Sequence, residues 1–317
     1  MNIFCHIPRE NWICDRMGFE YSNLSSHKIS FEKISNQTNI IWLLGSWCWN
    51  QIPKTILKSN LVVCTIHHEV PWKFNDERKN NFLERDQYVD HYLTYTEKTK
   101  NLIEKFSEKP VDIIPHWVNT DIWNKLEKIE CKNKLNLPLD RLIVGSFQRD
   151  TEGSDLKTPK LEKGPDIFLK KIVDISNFKK VHVLLGGWRR QFIISELEKV
   201  KIPYTYFELP DLKKINIMYN SLDLYLVSSR CEGGPQSIFE ATYLNVPILS
   251  TPVGQSKLIL DEKCIYQPDQ KLTPEILKNS NLFIDKNYKN VLKFNIKDHV
   301  KVYDSFFERL VRRHKKL

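Results

Sequence analysis

Two α/β domains, each a parallel sheet with crossover helices, are what this sequence predicts. The first observation is length: 317 residues exceed one ordinary α/β unit and suit two, each large enough to bury its own core. The second is a recurrence of short apolar, β-branched runs, each followed by a polar turn and a segment of helical period. The third is a break between two series of such runs, at Asn119–Asp140, rich in Lys, Asn and Glu and ending in Leu-Pro-Leu-Asp.

Taken along the chain, the first series predicts strands at Asn2–Ile7, Asn39–Leu44, Leu61–Ile66, Tyr92–Tyr95 and Val111–Ile114. The second predicts Leu142–Phe147, Val181–Gly186, Tyr204–Phe207, Asp223–Ser228, Val246–Ser250 and Cys264–Tyr266. Thr96, before Glu97-Lys-Thr, suits a helix N-cap. The break reads as an exposed connector with one short helix. A last helix, about Ile296–Lys316, places Val300, Tyr303, Phe307, Leu310 and Val311 on one face and Arg309, Arg312, Arg313, Lys315 and Lys316 on the other. The expected organisation is a Rossmann-like domain over 1–137, a second over 138–296, and a basic amphipathic helix over 297–317 that packs on the first. No internal repeat points to a solenoid or propeller.

Hydrophobic residues make up 41% and charged residues 27%, values of a folded globular chain. No apolar run reaches the roughly 18 residues of a membrane span, and the start lacks a basic region followed by a long apolar stretch. Seven scattered cysteines, none in a Cys-x-x-Cys pair, argue against a disulfide framework or a zinc site. The expectation is a cytoplasmic protein. A net charge of +9 suits anionic partners of several kinds, although abundant Lys, Asn and Ile suggest that compositional bias supplies part of it. No nucleic-acid-binding motif accompanies the charge, so nucleic acid is not expected as a partner.

The most informative stretch is Asp223-Leu-Tyr-Leu-Val-Ser-Ser-Arg-Cys-Glu-Gly-Gly-Pro-Gln-Ser-Ile-Phe-Glu-Ala. A buried strand delivers Gly233 and Gly234, which let the backbone approach a ligand closely, and Pro235 suits a helix start. The amides of Gln236 and Ser237 then lie at the positive end of a helix, a place for phosphate. Glu232 and Glu240 flank that place, and a carboxylate can accept two bonds from neighbouring sugar or ribose hydroxyls. The plainer reading leaves Glu240 a solvated helix residue and the glycines a simple turn.

Glu232 to Glu240 resembles the E-x7-E signature of retaining GT-B glycosyltransferases, and its surroundings resemble glycosyltransferase family 4. Where that family usually has Glu-Gly-Phe-Gly, this chain has Glu232-Gly233-Gly234-Pro235. Val144–Arg149 and Lys163-Gly-Pro-Asp resemble the strand-loop-helix whose Arg and Lys grip the donor diphosphate. Thirteen residues, 150–162, separate Arg149 from Lys163 where the family has a few, and Lys157 or Lys160 stand as alternatives. Val183–Arg189 resembles the strand and glycine loop beside the nucleotide base. Gly187 is its donor-binding candidate, and a simple turn at Gly186-Gly187 is the alternative reading.

The resemblance thins toward the N-terminus. Val62–Glu69 is similar to the family strand ending in a histidine associated with the donor sugar, which favours His67 over His68. His116-Trp-Val-Asn stands where the family commonly has Asn-Gly-Val-Asp, and His6–Trp12 replaces its glycine-rich loop. Trp12, Trp42, Trp47, Trp49 and Trp72 crowd this half, either as core or as stacking platforms for sugar rings.

The resemblance implies a GT-B fold, with two Rossmann-like domains facing across a cleft and the last helix crossing back to the first. It also implies a retaining, metal-independent hexosyl transfer from a UDP- or GDP-sugar to a glycan, glycolipid or other hydroxyl acceptor, with no cofactor. Arg149 and Lys163 would stabilise the departing diphosphate, Glu232 and the 234–237 amides would hold the sugar, His67 would approach it, and Glu240 would hold the ribose. The basic last helix could rest on an anionic membrane or remain solvated. Alternatives are a non-catalytic sugar-nucleotide binder and a GT-B epimerase; the latter would need catalytic carboxylates in both domains.

Overall fold

The computed structural model describes residues 1–314; Lys315 and Lys316 of the expected basic face lie outside them. The described residues form two compact units: 1–119 with 294–314, and 120–293.

The first unit runs β1 (Asn2–His6), α1 (Ile13–Leu24), β2 (Lys28–Ser30), β3 (Ile40–Leu43), α2 (Lys54–Lys58), β4 (Leu61–Ile66), α3 (Asp76–Asp86), β5 (His91–Thr94), α4 (Glu97–Ile103) and β6 (Val111–Ile113). Its sheet has the order β2-β1-β3-β4-β5-β6, with every pairing parallel. β3 and β4 are buried along their whole length, as expected of strands covered on both faces. Alternation sorts their residues: Ile40, Trp42, Leu61 and Val63 join one core, while Ile41, Leu43, Val62 and Cys64 join the other. Thr96 caps α4, its hydroxyl accepting from the Thr99 amide at 3.2 Å. The edge strand β2 is not among the predicted strands, because Lys28-Ile29-Ser30 carries a single apolar residue.

The second unit contains α5 (Lys128–Lys134), β7 (Leu142–Phe147), α6 (Pro165–Ser176), β8 (Val181–Gly186), α7 (Gln191–Lys199), β9 (Tyr204–Phe207), α8 (Leu212–Asn220), β10 (Leu224–Val227), α9 (Gln236–Tyr243), β11 (Ile248–Ser250), α10 (Ser256–Ile259), α11 (Pro274–Leu282) and α12 (Ile284–Val291). Its sheet, order β11-β10-β7-β8-β9, is again wholly parallel. Cys264–Tyr266 is not a sixth strand: Glu262–Cys264 is a 3-10 turn, and Ile265 makes one isolated bridge to Ser250.

The stretch read as an exposed connector is partly docked. Cys131 and Lys132 of α5 are buried, and the Lys132 ammonium reaches Asp223 at 2.7 Å just before β10. Asn124 is held by Asn216 and Asn220 on α8. Polar pairs at both ends conceal this docking from a reading of hydrophobic periodicity.

The final helix, α13 (Ile296–His314), belongs to the first unit. Its Ile296, Val300, Tyr303, Phe306, Phe307 and Leu310 enter the core that also holds Trp42 and Tyr21. Asp304 fastens it to α1: the carboxylate accepts from Tyr21 and Ser25 hydroxyls, both at 2.7 Å, and from the Ser26 amide and hydroxyl at 2.9 and 2.8 Å. No helix among the described residues is long and apolar enough to cross a membrane.

Candidate functional site

In a parallel sheet every loop that leaves a strand's carboxyl end gathers at one edge, where ligands of open α/β folds bind. In the second unit the loops after β7, β8 and β10 gather there, and most of the candidate residues lie on them.

The thirteen residues between Arg149 and Lys163 fold outward and come back. Thr151 and Pro159 form an antiparallel bridge, the Glu152 amide donates to the Thr158 carbonyl at 2.8 Å, and the Lys160 amide donates to the Asp150 carbonyl at 2.8 Å. Asp155 organises the tip by accepting from the Lys157 and Thr158 amides. The excursion therefore adds length without parting its ends. The Gln148 side chain closes the gap, donating to the Lys163 carbonyl at 3.0 Å.

Beneath this excursion lies an ion pair that the sequence reading did not single out. Arg190 is 1% exposed; its Nε donates to Asp150 at 2.5 Å, one terminal nitrogen donates to the Ser146 and Gly186 carbonyls, and the other donates to the Ser146 hydroxyl at 3.2 Å. A buried charge of this kind must be paired, and here the pair ties the ends of β7 and β8 together. Arg149 takes a different place, donating to the Thr151 carbonyl at 2.9 Å and lying 5.3 Å over the Trp188 ring.

Lys163 meets Glu232. Its ammonium donates to the Glu232 carboxylate, which also accepts from the Ser229 hydroxyl at 3.2 Å. The backbone beside Lys163 leaves no freedom: Gly164 has φ +60°, and a Cβ there would stand 2.0 Å from the Ser228 carbonyl oxygen. Glycine is required for both conformation and space. Arg230 adds a clasp, with its guanidinium on Asp166 at 2.7 and 2.5 Å.

After Gly233-Gly234-Pro235 the chain enters α9, whose first amides have no acceptor within the helix. Gly254, at φ +53°, packs its Cα side against this turn, where a Cβ would lie 3.0 Å from the Gly234 Cα. Gln236 and Ser237 open the helix and are partly accessible; Gln236 keeps its side-chain nitrogen buried. Glu240 is 6% exposed and accepts from the Tyr219 hydroxyl at 2.9 Å, so it is not a solvated helix residue. Tyr219 packs in turn with Tyr225 and Phe147, the three ring centroids 4.9 to 5.4 Å apart. The Tyr225 hydroxyl accepts from the Phe147 amide at 3.2 Å, while burial first, and Glu240 among the charges, keeps its proton on.

Gly187 has φ +107°, and a Cβ there would sit 3.0 Å from the Gln148 carbonyl. The turn geometry is sufficient reason for this glycine.

His67 lies in the first unit, where β4 ends. Its Nε2 is 2.8 Å from the Leu44 carbonyl and 3.3 Å from the Cys14 thiol. A nitrogen facing a carbonyl must carry the proton, which leaves Nδ1 as the acceptor. Burial lowers the His67 pKa to about 4, so the ring is neutral at pH 7. The Tyr95 ring lies 5.2 Å away and that of Trp47 6.0 Å. His68 keeps Nδ1 buried. Trp42 and Trp49 are core residues, whereas Trp12, Trp47 and Trp72 are exposed.

The structure thus brings Lys163, Glu232, Gln148 and Ser229 together, and sets Glu240 against Tyr219 one helix turn along from Ser237. Among the described residues no group of three or more His, Cys, Asp or Glu side chains is placed to hold a metal ion. Gln148, Arg190, Ser229 and Tyr219 are not among the site residues the sequence proposes; Gln148, adjacent to Arg149 at a strand end, and Ser229, ahead of Glu232, lie inside the stretches quoted above, and Tyr219 lies in Met218–Asp223, the stretch that leads into β10.

No family model matches the sequence. The chain is similar to an O-antigen biosynthesis glycosyltransferase, WclY of Escherichia coli, at 21% identity over 216 residues, covering 65% of this chain and 56% of that protein. The chain thus aligns with little more than half of that relative's length. Among solved structures it is similar to a glycosyltransferase from Rickettsia africae, with a TM-score of 0.71 at 12% identity, covering 98% of each chain. Anabaena HepE in complex with UDP-glucose gives 0.70 at 11% identity, covering 96% of this chain and 99% of that one. TarM of S. aureus gives 0.60 at 16% identity, covering 84% and 55%. The fold is GT-B: two parallel α/β sheets and a long C-terminal helix that belongs to the first unit.

Proposed function

We propose that this chain is a nucleotide-sugar-dependent glycosyltransferase, retaining in stereochemistry, that moves a hexose from a UDP- or GDP-sugar to a hydroxyl acceptor. The observation that carries the reading is the pairing of Lys163 with Glu232 beside the glycine turn into α9. A lysine held by one carboxylate at a helix N-terminus is poised to exchange that partner for a diphosphate. The exchange lets the ammonium and the helix amides stabilise the charge that develops on the departing nucleotide. Glu232, so released, accepts from sugar hydroxyls, while the amides at Gly233, Gly234, Gln236 and Ser237 donate to oxygens of the donor. Arg149, stacked on Trp188, is the second cation, and Glu240 orients the ribose with Tyr219 fixing its carboxylate. His67 offers Nδ1 as a neutral acceptor for the sugar.

The names of the similar proteins support the same reading. One is a glycosyltransferase of O-antigen biosynthesis, and another was solved in complex with UDP-glucose. For the acceptor, a glycan or lipid-linked saccharide fits those names. A cytoplasmic location suits seven free, buried thiols. At the basic face of α13, Arg309 is spent on Asp112 and Arg312 on Glu308, which favours a solvated face over a membrane contact.

The test is nucleotide diphosphate release from a panel of UDP-, GDP- and ADP-sugars, with and without EDTA, by wild type and by Lys163→Ala and Glu240→Ala. Release from one donor, indifferent to EDTA and lost in both variants, is expected. Silence across the panel, with no donor binding by calorimetry, overturns the assignment. Isomerised sugar recovered without an acceptor would instead mark an epimerase.

A further inference from the structure

One buried cation of the first unit lacks a counter-ion in contact. Arg85 stands in the last turn of α3 and is 3% exposed. Its Nη1 donates to the Ser46 carbonyl at 3.2 Å, tying α3 to the 3-10 turn Ser46–Gln51 that follows β3. Its Nε and Nη2 are buried without a hydrogen-bond partner, and among the described residues no carboxylate lies within ion-pair distance. Those two nitrogens form one edge of the planar guanidinium, the edge whose parallel N–H groups grip an anion with two bonds at once. Arg190, equally buried in the second unit, shows the usual arrangement, since its Nε meets the Asp150 carboxylate. A guanidinium edge left unmet in a protein interior bears the desolvation cost of two donors with nothing to offset it.

The surroundings close the place without satisfying it. The Phe82 ring centroid lies 5.0 Å from the guanidinium carbon. Cys64 is fully buried, and burial pushes its thiol up to about 11, so it stays neutral. Asp86 accepts from the Tyr92 and Ser107 hydroxyls at 2.9 and 2.6 Å, and Glu69 pairs with Arg78 at 3.7 Å. Trp49, on the same 3-10 turn as Ser46 and buried in the same core as Phe82 and Cys64, adds an indole N–H that also has no acceptor.

We infer that the Nε–Nη2 edge of Arg85 holds a small inorganic monoanion, chloride or an ion of its size, enclosed between α3 and the turn after β3. Every unmet group is a donor. A water would accept from the edge but bring two hydrogens that need acceptors of their own, whereas an anion only accepts. Glu69 and Asp86 already supply negative potential nearby, which limits the occupant to one charge and disfavours sulfate or phosphate. At 3% exposure the edge is closed to a saccharide or a nucleotide. The ion therefore acts as a fastener of the first unit, and the inference does not depend on the proposed transfer.

The experiment follows the thermal midpoint of the full-length chain as chloride replaces gluconate at constant ionic strength, and locates bromide by anomalous scattering in crystals of the same protein. Wild type is expected to gain about 3–5 °C, saturably, once chloride stands tenfold above its Kd. Arg85→Met, which keeps an apolar stem and removes the fork, is expected to show no gain. Arg85→Lys keeps the charge without the edge and should need at least tenfold more chloride. Bromide is expected against Nε and Nη2 of Arg85. Equal wild-type midpoints in chloride and gluconate overturn the site and leave water to meet the edge. A gain retained by Arg85→Met also overturns it, as the mark of an adventitious ion elsewhere, and so does a map without bromide at Arg85. Should Arg85→Met fail to fold, the bromide map decides alone.

Discussion

The Lys163 ammonium donates to the Glu232 carboxylate across 69 residues of sequence, joining the turn before α6 to the turn before α9. Neither side chain is fully buried, at 23% and 10% exposure, so both remain within reach of a ligand. Breaking a partly buried pair by removing one partner costs stability, on the order of 1–3 kcal/mol. Removing the cation also removes charge stabilisation from the departing diphosphate. Lys163→Ala is expected to lower the rate of nucleotide release by about a hundredfold or more while leaving a folded protein. A double-mutant cycle with Glu232→Gln checks it: additive losses in the thermal midpoint would mean the two groups do not interact in solution.

Gly164 permits the neighbouring lysine to sit where it does. Its left-handed φ and the 2.0 Å approach of a would-be Cβ to the Ser228 carbonyl are both backbone constraints, so no side chain can swing aside to relieve them. Gly164→Ala is expected to destabilise the second unit by about 3 kcal/mol or more. Chemical denaturation reads this directly, and a midpoint within error of wild type would refute it.

Asp304 is a latch between α13 and α1. Burial pushes its carboxyl pKa up, but bonds from Ser25, Ser26 and Tyr21 outweigh burial and hold it below the usual value. A depressed carboxylate contributes stability that is present above its unfolded pKa, about 3.9, and is lost as pH falls through the folded value. Asp304→Ala leaves the Tyr21 and Ser25 hydroxyls without their acceptor and should cost about 2–4 kcal/mol at pH 7. Hydrogen exchange across 296–314 is the readout, and unchanged protection there would count against the latch.

Histidines make the first unit the acid-sensitive one. Burial lowers His67 to about 4 and takes His6, His116 and His299 downward as well; all four lie in that unit. The second unit has His182 alone, also lowered by burial. A histidine kept neutral by folding contributes stability present above 6.5, and that stability drains as pH falls toward the folded value. Each unit of separation is worth about 1.4 kcal/mol. Between pH 6.5 and 4 the amides of residues 1–119 should therefore lose exchange protection before those of 120–293. The same neutrality predicts that His67 adds no limb near pH 6.5 to the rate profile. Replacing it with Gln, which keeps an N–H for the Leu44 carbonyl, tests that by leaving the profile's shape unchanged.

Much of the fold was legible because buried parallel strands are written as uninterrupted apolar runs. Leu61–Ile66 and Val181–Gly186 match their predicted bounds. β2 was not legible, since pairing with β1 rather than its own residues makes Lys28–Ser30 a strand. At the candidate site, the glycines and the Glu232–Glu240 spacing stand out in sequence. Gln148 shows only its place beside Arg149, and Tyr219 does not stand out, because their roles come from contacts across 15 and 21 residues, with the Lys163 carbonyl and the Glu240 carboxylate.

Tyr219 offers the most discriminating substitution around Glu240. A carboxylate that is 6% exposed needs donors, and the Tyr219 hydroxyl at 2.9 Å is one of them. Tyr219→Phe keeps the ring that packs against Phe147 and Tyr225 and removes only the oxygen, so the aromatic cluster should survive. Losing one hydrogen bond to a buried charge costs about 1.5–3 kcal/mol. If Glu240 orients the ribose of a donor, part of that cost appears in ligand binding. The Kd for the nucleotide diphosphate should then rise roughly five- to twentyfold, and the deoxyribose analogue should be discriminated less well than by wild type. If Glu240 serves packing alone, the thermal midpoint falls and both Kd and sugar discrimination stay put. Calorimetry with the ribo- and deoxyribonucleotide, on wild type and Tyr219→Phe, separates the two, because only a carboxylate that touches the ribose lets its support be felt at the hydroxyl.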